Sequence, residues 1–188
     1  MILPVYGYGH PLLRKISEDI TPDYPGLQKL IDNMFETMYA SKGVGLAAPQ
    51  VGANIRLFII DATPYEEEIG DKYPLKGIYI NTHIFEEEGE PWTFEEGCLS
   101  IPEIREDVER QPKIRMKYVN EKFEPLEAQF DGMMARIIQH EYDHLDGVLF
   151  VDHVSSIRKM LLRKRLNDIV TGKVSPGYAM RFANPKRR

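Results

Sequence analysis

The chain has little of several features that mark particular classes of protein. Its 188 residues include a single cysteine, Cys98, so no disulfide can form within the chain. A lone cysteine suits a reducing compartment, and we therefore predict a cytoplasmic location. No apolar run approaches the length of a membrane span, and residues 1–7 lack the basic start and long apolar core of a signal peptide. These absences predict that the protein has no membrane partner.

Positive charge is scarce in most of the chain but concentrated at its end. The net charge is −5, yet residues 155–188 contain ten Lys or Arg and one acid, Asp168. Basic terminal segments often bind nucleic acid, because neutralising phosphates releases counterions. The same segment could equally form a solvated face or pair with the acidic body, so composition leaves three interpretations open.

The glycine-rich stretch Gly43-Val44-Gly45-Leu46-Ala47-Ala48-Pro49-Gln50 is not a nucleotide-binding loop. It lacks the Gly-Lys-Ser/Thr of a phosphate loop and the third glycine of a dinucleotide loop. Residues of such small bulk allow another backbone to approach closely. The stretch therefore predicts either a tight turn or an edge along which a peptide can lie.

The strongest chemical signal is Gln139-His140-Glu141-Tyr142-Asp143-His144. On an α-helix, residues four apart lie one turn above each other, so His140 and His144 can bind a single metal ion. Glu141 would then lean over the open side of that ion, which is typical of metallohydrolases. The alternative is a helix whose histidines only pack or titrate.

Two histidines leave a metal short of a protein ligand. In one class of zinc peptidase a third histidine follows six residues after the second, but Phe150 occupies that position. In another class a later glutamate serves, and this chain has no glutamate after Glu141. Asp168 and His153 are formally possible. Cys98 is the better candidate, since a thiolate would complete an open three-ligand catalytic site.

Side-chain periodicity predicts further elements and contacts around this motif. We expect Asp131 to cap the metal-bearing helix and the acidic run Glu86–Glu90 to form the tip of a hairpin. Met133 and Ile137, on the metal-facing side, could line a substrate pocket. Arg136 is a charged residue on the same side of the helix as these apolar ones, so it would reach a substrate carbonyl or extend outward to solvent.

Three motifs together resemble the signature motifs of peptide deformylase, in that family's order. They are residues 43–50, the run Glu96-Gly97-Cys98-Leu99-Ser100, and residues 139–144. The similarity extends over residues 1 to about 154. It implies an α+β fold with antiparallel sheets around a central metal-binding helix, an N-terminal helix and a basic C-terminal helix. We therefore expect a catalytic domain at residues 1–154, with residues 155–188 packed on the same domain as a basic helix and tail.

The resemblance also implies an activity, namely hydrolysis of the formyl group from the initiator N-formylmethionine of new polypeptides, with release of formate. Cys98, His140 and His144 would hold one divalent metal ion, and Glu141 would act as general base and then acid. Similar deformylases use Fe²⁺ in the cell and can carry Zn²⁺, Ni²⁺ or Co²⁺ when isolated. The thiolate and imidazole ligands suit several of these ions.

The remaining site residues follow from the same resemblance. The Gln50 amide and the Leu99 backbone N–H would stabilise negative charge on the formyl oxygen. The peptide would lie along Val44 and Gly45 and beside Gly97 as an added strand.

The expected partners are N-formylmethionyl nascent chains, with a ribosome contact through the basic tail and no DNA. Two other classes stay open at this stage. One is a different metalloamidase or peptidase. The other is a non-catalytic metal-stabilised protein, which would need a fourth ligand such as His10 or His83.

Overall fold

A computed structural model describes residues 1–185 as a mixture of helices and strands. The strands are Val5–Tyr6 (β1), Gly45–Ala47 (β2), Leu57–Asp61 (β3), Lys76–Glu88 (β4), Trp92–Cys98 (β5), Ile101–Arg110 (β6), Lys113–Val119 (β7), Pro125–Asp131 (β8) and Met180–Arg181 (β9). The helices are Leu27–Ala40 (α1), Glu66–Ile69 (α2), Gly132–Leu145 (α3) and Ser156–Val170 (α4). Short 3₁₀ segments connect several of them, including Ala48–Val51 and Phe150–Asp152.

The main sheet has five antiparallel strands in the order β2-β3-β4-β7-β8, and β5 and β6 form a separate antiparallel hairpin. The expected combination of helices with antiparallel sheets is therefore confirmed. In addition, β1 and β9 pair in parallel, which joins the two ends of the described chain. The prediction of a hairpin tip at Glu86–Glu90 is wrong. Glu86, Glu87 and Glu88 pair with β7, and the chain then crosses to the other hairpin.

Whereas β7 of the main sheet buries alternate residues only, strand β3 is buried on both faces. Its residues alternate sides, so Leu57 and Ile59 pack in one apolar cluster while Phe58 and Ile60 pack in another. The first cluster contains the apolar face of α1, and the second contains α3. All four β3 side chains are fully buried. Helix α3 thus lies against the centre of the sheet.

Helix α3 is covered on its other side by the β5–β6 hairpin. Its first residue follows β8 directly, and Asp131 occupies the N-cap position as expected. The prediction that the Asp131 side chain caps the helix is wrong, since that carboxylate instead pairs with Lys72. Buried side chains occur all round α3, so the helix is a core element.

Helix α4 packs through one of its two apolar faces. Leu162, Leu166 and Ile169 are buried against β6 and the 3₁₀ segment Phe150–Asp152, whereas Ile157, Met160 and Leu161 are exposed and form a second apolar face. The Ser155 hydroxyl accepts a hydrogen bond from the Arg158 N–H and caps the helix. Among residues 1–185, no helix combines the length and apolar character needed to cross a membrane.

Candidate metal centre

The structure brings Cys98, His140 and His144 together between α3 and the end of β5. One ligand atom from each lies within 4.8 Å of the other two. The helical pitch places the two imidazoles edge to face at a centroid distance of 5.3 Å, and the Cys98 Sγ lies 3.3 Å from the His144 Nε2. Such spacing lets all three side chains reach a common ion.

The donor set fits a transition metal. The His140 Nδ1 is hydrogen-bonded to Glu96 at 2.9 Å, which leaves Nε2 as the free donor atom. Burial by itself raises the pKa of the Cys98 thiol, but His144 and His140 outweigh it and lower that pKa to about 5. Cys98 therefore presents a thiolate, the form that binds metals. One thiolate and two imidazoles match a three-ligand site with an open position.

Glu141 lies beside this group with a carboxylate that is largely unsatisfied. Its side chain is buried, and within residues 1–185 its Oε2 has no hydrogen-bond partner. Burial raises the pKa of Glu141 to about 7. Gly45 on β2 makes room for it, since a Cβ at that position would lie 2.4 Å from the Glu141 Oε1. A free, poorly solvated carboxylate beside a metal-ligand group is suited to proton transfer.

A buried ionic cluster supports His140 from behind. The Glu96 carboxylate accepts hydrogen bonds from Arg110 Nε at 2.7 Å and from an Arg136 terminal nitrogen at 2.8 Å. Although burial raises the pKa of Glu96, its hydrogen bonds with His140 and Arg110 outweigh that effect and lower it. Arg110 also pairs with Asp143 at 2.8 Å, so two carboxylates balance two guanidinium groups. The arrangement fixes the orientation of the His140 ring.

Arg136 lines the cleft but does not extend outward, and its contact with a substrate carbonyl stays a prediction. Its side chain is only 2% exposed and extends away from solvent, so the prediction of an outward Arg136 is wrong. Besides Glu96, it donates to the carbonyls of Val108 and Trp92, and its guanidinium lies 4.2 Å from the Trp92 ring centroid. The hairpin thus supplies most of the partners that make this burial tolerable.

The turn that follows Cys98 is held from three directions. Leu99 and Ser100 connect β5 to β6, and the Gln50 Nε2 donates to the Cys98 Sγ at 3.4 Å and to the Ser100 Oγ at 3.2 Å. The Ser100 carbonyl accepts from the Tyr8 N–H, and the Leu99 carbonyl accepts from the Tyr178 hydroxyl, both at 2.8 Å.

These groups open into one cleft of about 780 Å³. Ten of the eleven residues predicted to form the site line it, and the eleventh, His144, is buried beneath its floor. The ten are Val44, Gly45, Gln50, Gly97, Cys98, Leu99, Met133, Ile137, His140 and Glu141. His10 and His83 do not belong to this group: His10 caps a 3₁₀ segment, and His83 lies near Asp19 at the surface.

No role was predicted for Glu96, Arg110 or Tyr178, although all three contribute to the site. A signal for Arg110 was present in the sequence, because it follows Ile104 and Val108 at even spacing, and β6 buries every second residue from Ile104 to Arg110. Strict alternation places that arginine on the inner face, where an acid must accompany it. No comparable pattern surrounds Tyr178.

Known proteins resemble this chain along most of its length. A family model described as polypeptide deformylase matches residues 2–160. A peptide deformylase of Flavobacterium johnsoniae is 52% identical over 100% of this chain and 99% of its own. The crystal structure of a peptide deformylase from Legionella pneumophila is 38% identical, with a TM-score of 0.77, and covers 89% of this chain and 95% of its own.

A further solved structure is a class I type b peptide deformylase from Acinetobacter baumannii, described as bound to Met-Ala-Ser. It is 36% identical, has a TM-score of 0.73, and covers 82% of this chain and 99% of its own. Peptide deformylases are metal-dependent hydrolases, and residues 98, 140 and 144 form a group that could bind such a metal. The matched segment contains that group, and this chain belongs to the polypeptide deformylase family.

Proposed function

We propose that this protein removes the formyl group from the initiator N-formylmethionine of newly made polypeptides and releases formate. The observation that carries the proposal is the buried Glu141 carboxylate, with one unpartnered oxygen, beside a Cys-His-His group in an open cleft. The Acinetobacter relative bound to Met-Ala-Ser supports a substrate that begins with methionine. Since such chains leave the ribosome, we place the activity in the cytoplasm.

Cys98, His140 and His144 would hold one divalent ion. That ion supplies Lewis-acid chemistry, which makes water a usable nucleophile near neutral pH. We propose Fe²⁺ as the ion in the cell, with Zn²⁺, Ni²⁺ or Co²⁺ able to replace it on isolation, because thiolate and imidazole ligands accept all four. Anaerobic purification followed by metal analysis and activity per metal tests this assignment.

Glu141 would move the proton. It takes a proton from the attacking water as the new C–O bond forms at the formyl carbon. It then delivers a proton to the methionine nitrogen as the C–N bond breaks, which yields formate and a free amine. The raised pKa of Glu141 suits a group that must both accept and donate near neutral pH.

Two donors would stabilise the negative charge that develops on the formyl oxygen. The Gln50 Nε2 lies next to the Cys98 Sγ, and its carboxamide is fixed because the Ala47 N–H donates to its Oε1 at 2.8 Å. The Leu99 backbone N–H follows the same cysteine in the turn. Donors that are already oriented stabilise developing charge without reorganisation.

The substrate peptide would add a strand inside the cleft. Within the described part of the chain, β2 is an edge strand of the main sheet and β5 pairs only with β6. Val44, Gly45 and Gly97 line the same cleft, which supports a peptide strand that would lie between the backbone edges of β2 and β5. Met133 and Ile137, which also line it, would contact the methionine side chain.

Formate release from N-formyl-Met-Ala tests the proposal. We expect turnover by the wild type, no turnover of acetylated or unblocked peptides, and a loss of about 10²–10⁴-fold in Glu141→Gln with metal still bound. The matched control is Glu109→Gln, the same change at an exposed position on the outer side of β6. Near-normal turnover by Glu141→Gln would remove Glu141 from the mechanism. Cleavage of internal peptide bonds would instead indicate a peptidase.

We also propose that the basic segment beginning at Ser155 contacts ribosomal RNA. The segment carries ten Lys or Arg against one acid. Arg158 is paired with Glu106, but Arg163 and Lys164 are exposed on α4. Charge reversal at both positions should weaken ribosome binding and reduce its dependence on salt. Binding that is insensitive to salt in the wild type would contradict this contact.

A further inference from the structure

The segment after α4 returns to the rest of the molecule instead of extending from it. The Asn184 N–H donates to the Val170 carbonyl, and β9 pairs with β1. Tyr178 lies between the end of α4 and β9, outside the segment that the family model matches. Its ring and the neighbouring Ser175 and Pro176 form part of the wall of the cleft that contains the metal-ligand group. The tail is therefore a component of the cleft.

The Tyr178 hydroxyl is bonded to one particular backbone group. Cys98 and Ile101 are the last paired residues of the hairpin, and Leu99 and Ser100 span the turn between them. The Leu99 carbonyl is not part of the β5–β6 ladder. Its hydrogen bond comes from the Tyr178 hydroxyl, at 2.8 Å. Without that donor, a carbonyl in a partly closed cleft would lose its protein partner.

We propose that Tyr178 is a positioning residue for catalysis, acting through the Leu99 peptide. The inference rests on the proposed function, in which the Leu99 N–H stabilises the developing charge. The carbonyl and the N–H of Leu99 flank the same Cα, so a bond that restrains the carbonyl limits rotation of the whole turn. That turn also carries Cys98 at its first position. One phenol would thus steady both a charge-stabilising donor and a metal ligand.

The chemistry of the phenol suits this role. Burial, with a further contribution from Cys98, raises the pKa of Tyr178, so the hydroxyl stays protonated and donates. The other two restraints on the turn, from Gln50 and Tyr8, act on Cys98 and Ser100 and do not reach the Leu99 carbonyl. The Tyr178 contact therefore duplicates neither of them.

The test is Tyr178→Phe in the full chain, which keeps the ring in the cleft wall and removes only the hydroxyl. The matched control is Tyr39→Phe, which also removes one hydroxyl bond, to Asp61 at 2.6 Å, outside the cleft. Two readouts are needed: kcat and KM for N-formyl-Met-Ala, and the alkylation rate of Cys98 by iodoacetamide in reduced, metal-free protein. Since Cys98 is the sole cysteine, alkylation reports on the turn alone.

In Tyr178→Phe we expect kcat to fall about tenfold with KM nearly unchanged. The substitution displaces the Leu99 N–H without removing it, and displacement of an oxyanion donor lowers kcat less than its removal does. Cys98 alkylation should accelerate about two- to tenfold, the range that corresponds to loss of one hydrogen bond. Tyr39→Phe should match the wild type in both. An unchanged kcat in Tyr178→Phe would overturn the positioning role while deformylation by the wild type still stands. If the wild type does not deformylate, the proposed function fails, and an unchanged alkylation rate would then show that Tyr178 does not restrain the turn.

Discussion

The buried cluster around Glu96 makes a quantitative prediction about stability. Glu96 and Arg136 are 5% and 2% exposed, and among the ion pairs of residues 1–185 Arg136 has no carboxylate partner except Glu96. Glu96→Gln keeps the shape of the side chain but leaves the Arg136 charge uncompensated. Breaking a buried ion pair in this way costs about 3–5 kcal/mol. The thermal midpoint should fall by roughly 6–20 °C, since a chain of this size loses about 2–4 °C per kcal/mol.

The reverse substitution should cost less. In Arg136→Met, the Glu96 carboxylate retains Arg110 and His140, so about 1–3 kcal/mol is lost, mainly in charged hydrogen bonds. The double variant removes both charges, and Arg110 still has Asp143. It should therefore be more stable than Glu96→Gln alone, so the coupling free energy should exceed the cost of Arg136→Met and reach at least about 1 kcal/mol.

Urea unfolding of the metal-free, reduced protein measures this cycle without a contribution from metal binding. The matched control is Glu86→Gln, because Glu86 pairs with Arg115 at the surface, where both side chains are more than 40% exposed. That change should cost less than about 1 kcal/mol. Effects of Glu96→Gln and Arg136→Met that add within about 0.5 kcal/mol would refute the view that the two charges depend on each other.

Two other changes test contacts nearer to and farther from the cleft. Gly45→Ala would place a methyl group 2.4 Å from the Glu141 Oε1 and displace that carboxylate. The kcat should therefore fall about a hundredfold. An unchanged kcat would show that Glu141 can move without loss of activity. Burial raises the pKa of Asp152, but hydrogen bonds from Arg14 and the Leu149 N–H outweigh that effect and lower the pKa. Asp152 therefore stabilises the fold at pH values above its unfolded pKa of about 3.9. This stability is lost as the pH falls through the lower pKa of the folded state. Asp152→Asn should therefore be less stable than the wild type at pH 6 in urea unfolding, with the difference shrinking toward pH 3. A difference independent of pH would contradict that origin.

The metal-ligand group could be anticipated from sequence because its two histidines have a local signal and few other residues could complete the site. The spacing of His140 and His144 specifies one face of a helix, and the lack of a glutamate after Glu141 directs attention to Cys98. The structure brings the ligand atoms of Cys98, His140 and His144 within 4.8 Å of one another, and Glu141 lines the same cleft. Helical periodicity predicted the two histidines, whereas the choice of Cys98 depended on its chemical type and on the family resemblance, because Cys98 lies far from them in the chain.

The cluster behind His140 could not be anticipated in the same way. Arg136 meets a glutamate forty residues earlier in the chain, and which partner it finds depends on how the hairpin packs over α3. From sequence alone, a charged residue on an apolar helix face suggests that its side chain contacts solvent or substrate. The prediction of a hairpin tip at Glu86–Glu90 failed for a related reason, because turn composition does not specify which sheet the next strand joins.

The parallel pairing of β1 with β9 has a consequence for biosynthesis. It closes a loop of about 175 residues, whose entropic cost is on the order of 4–5 kcal/mol, and two short strands cannot offset that cost alone. The pair therefore forms only after the intervening chain has folded and brought its ends together. Translation must also pass Arg181 before β9 exists, and domains fold as their residues emerge. An enzyme proposed to act on emerging chains would thus acquire the Tyr178 wall of its own cleft only after its own residues up to Arg181 have been synthesised.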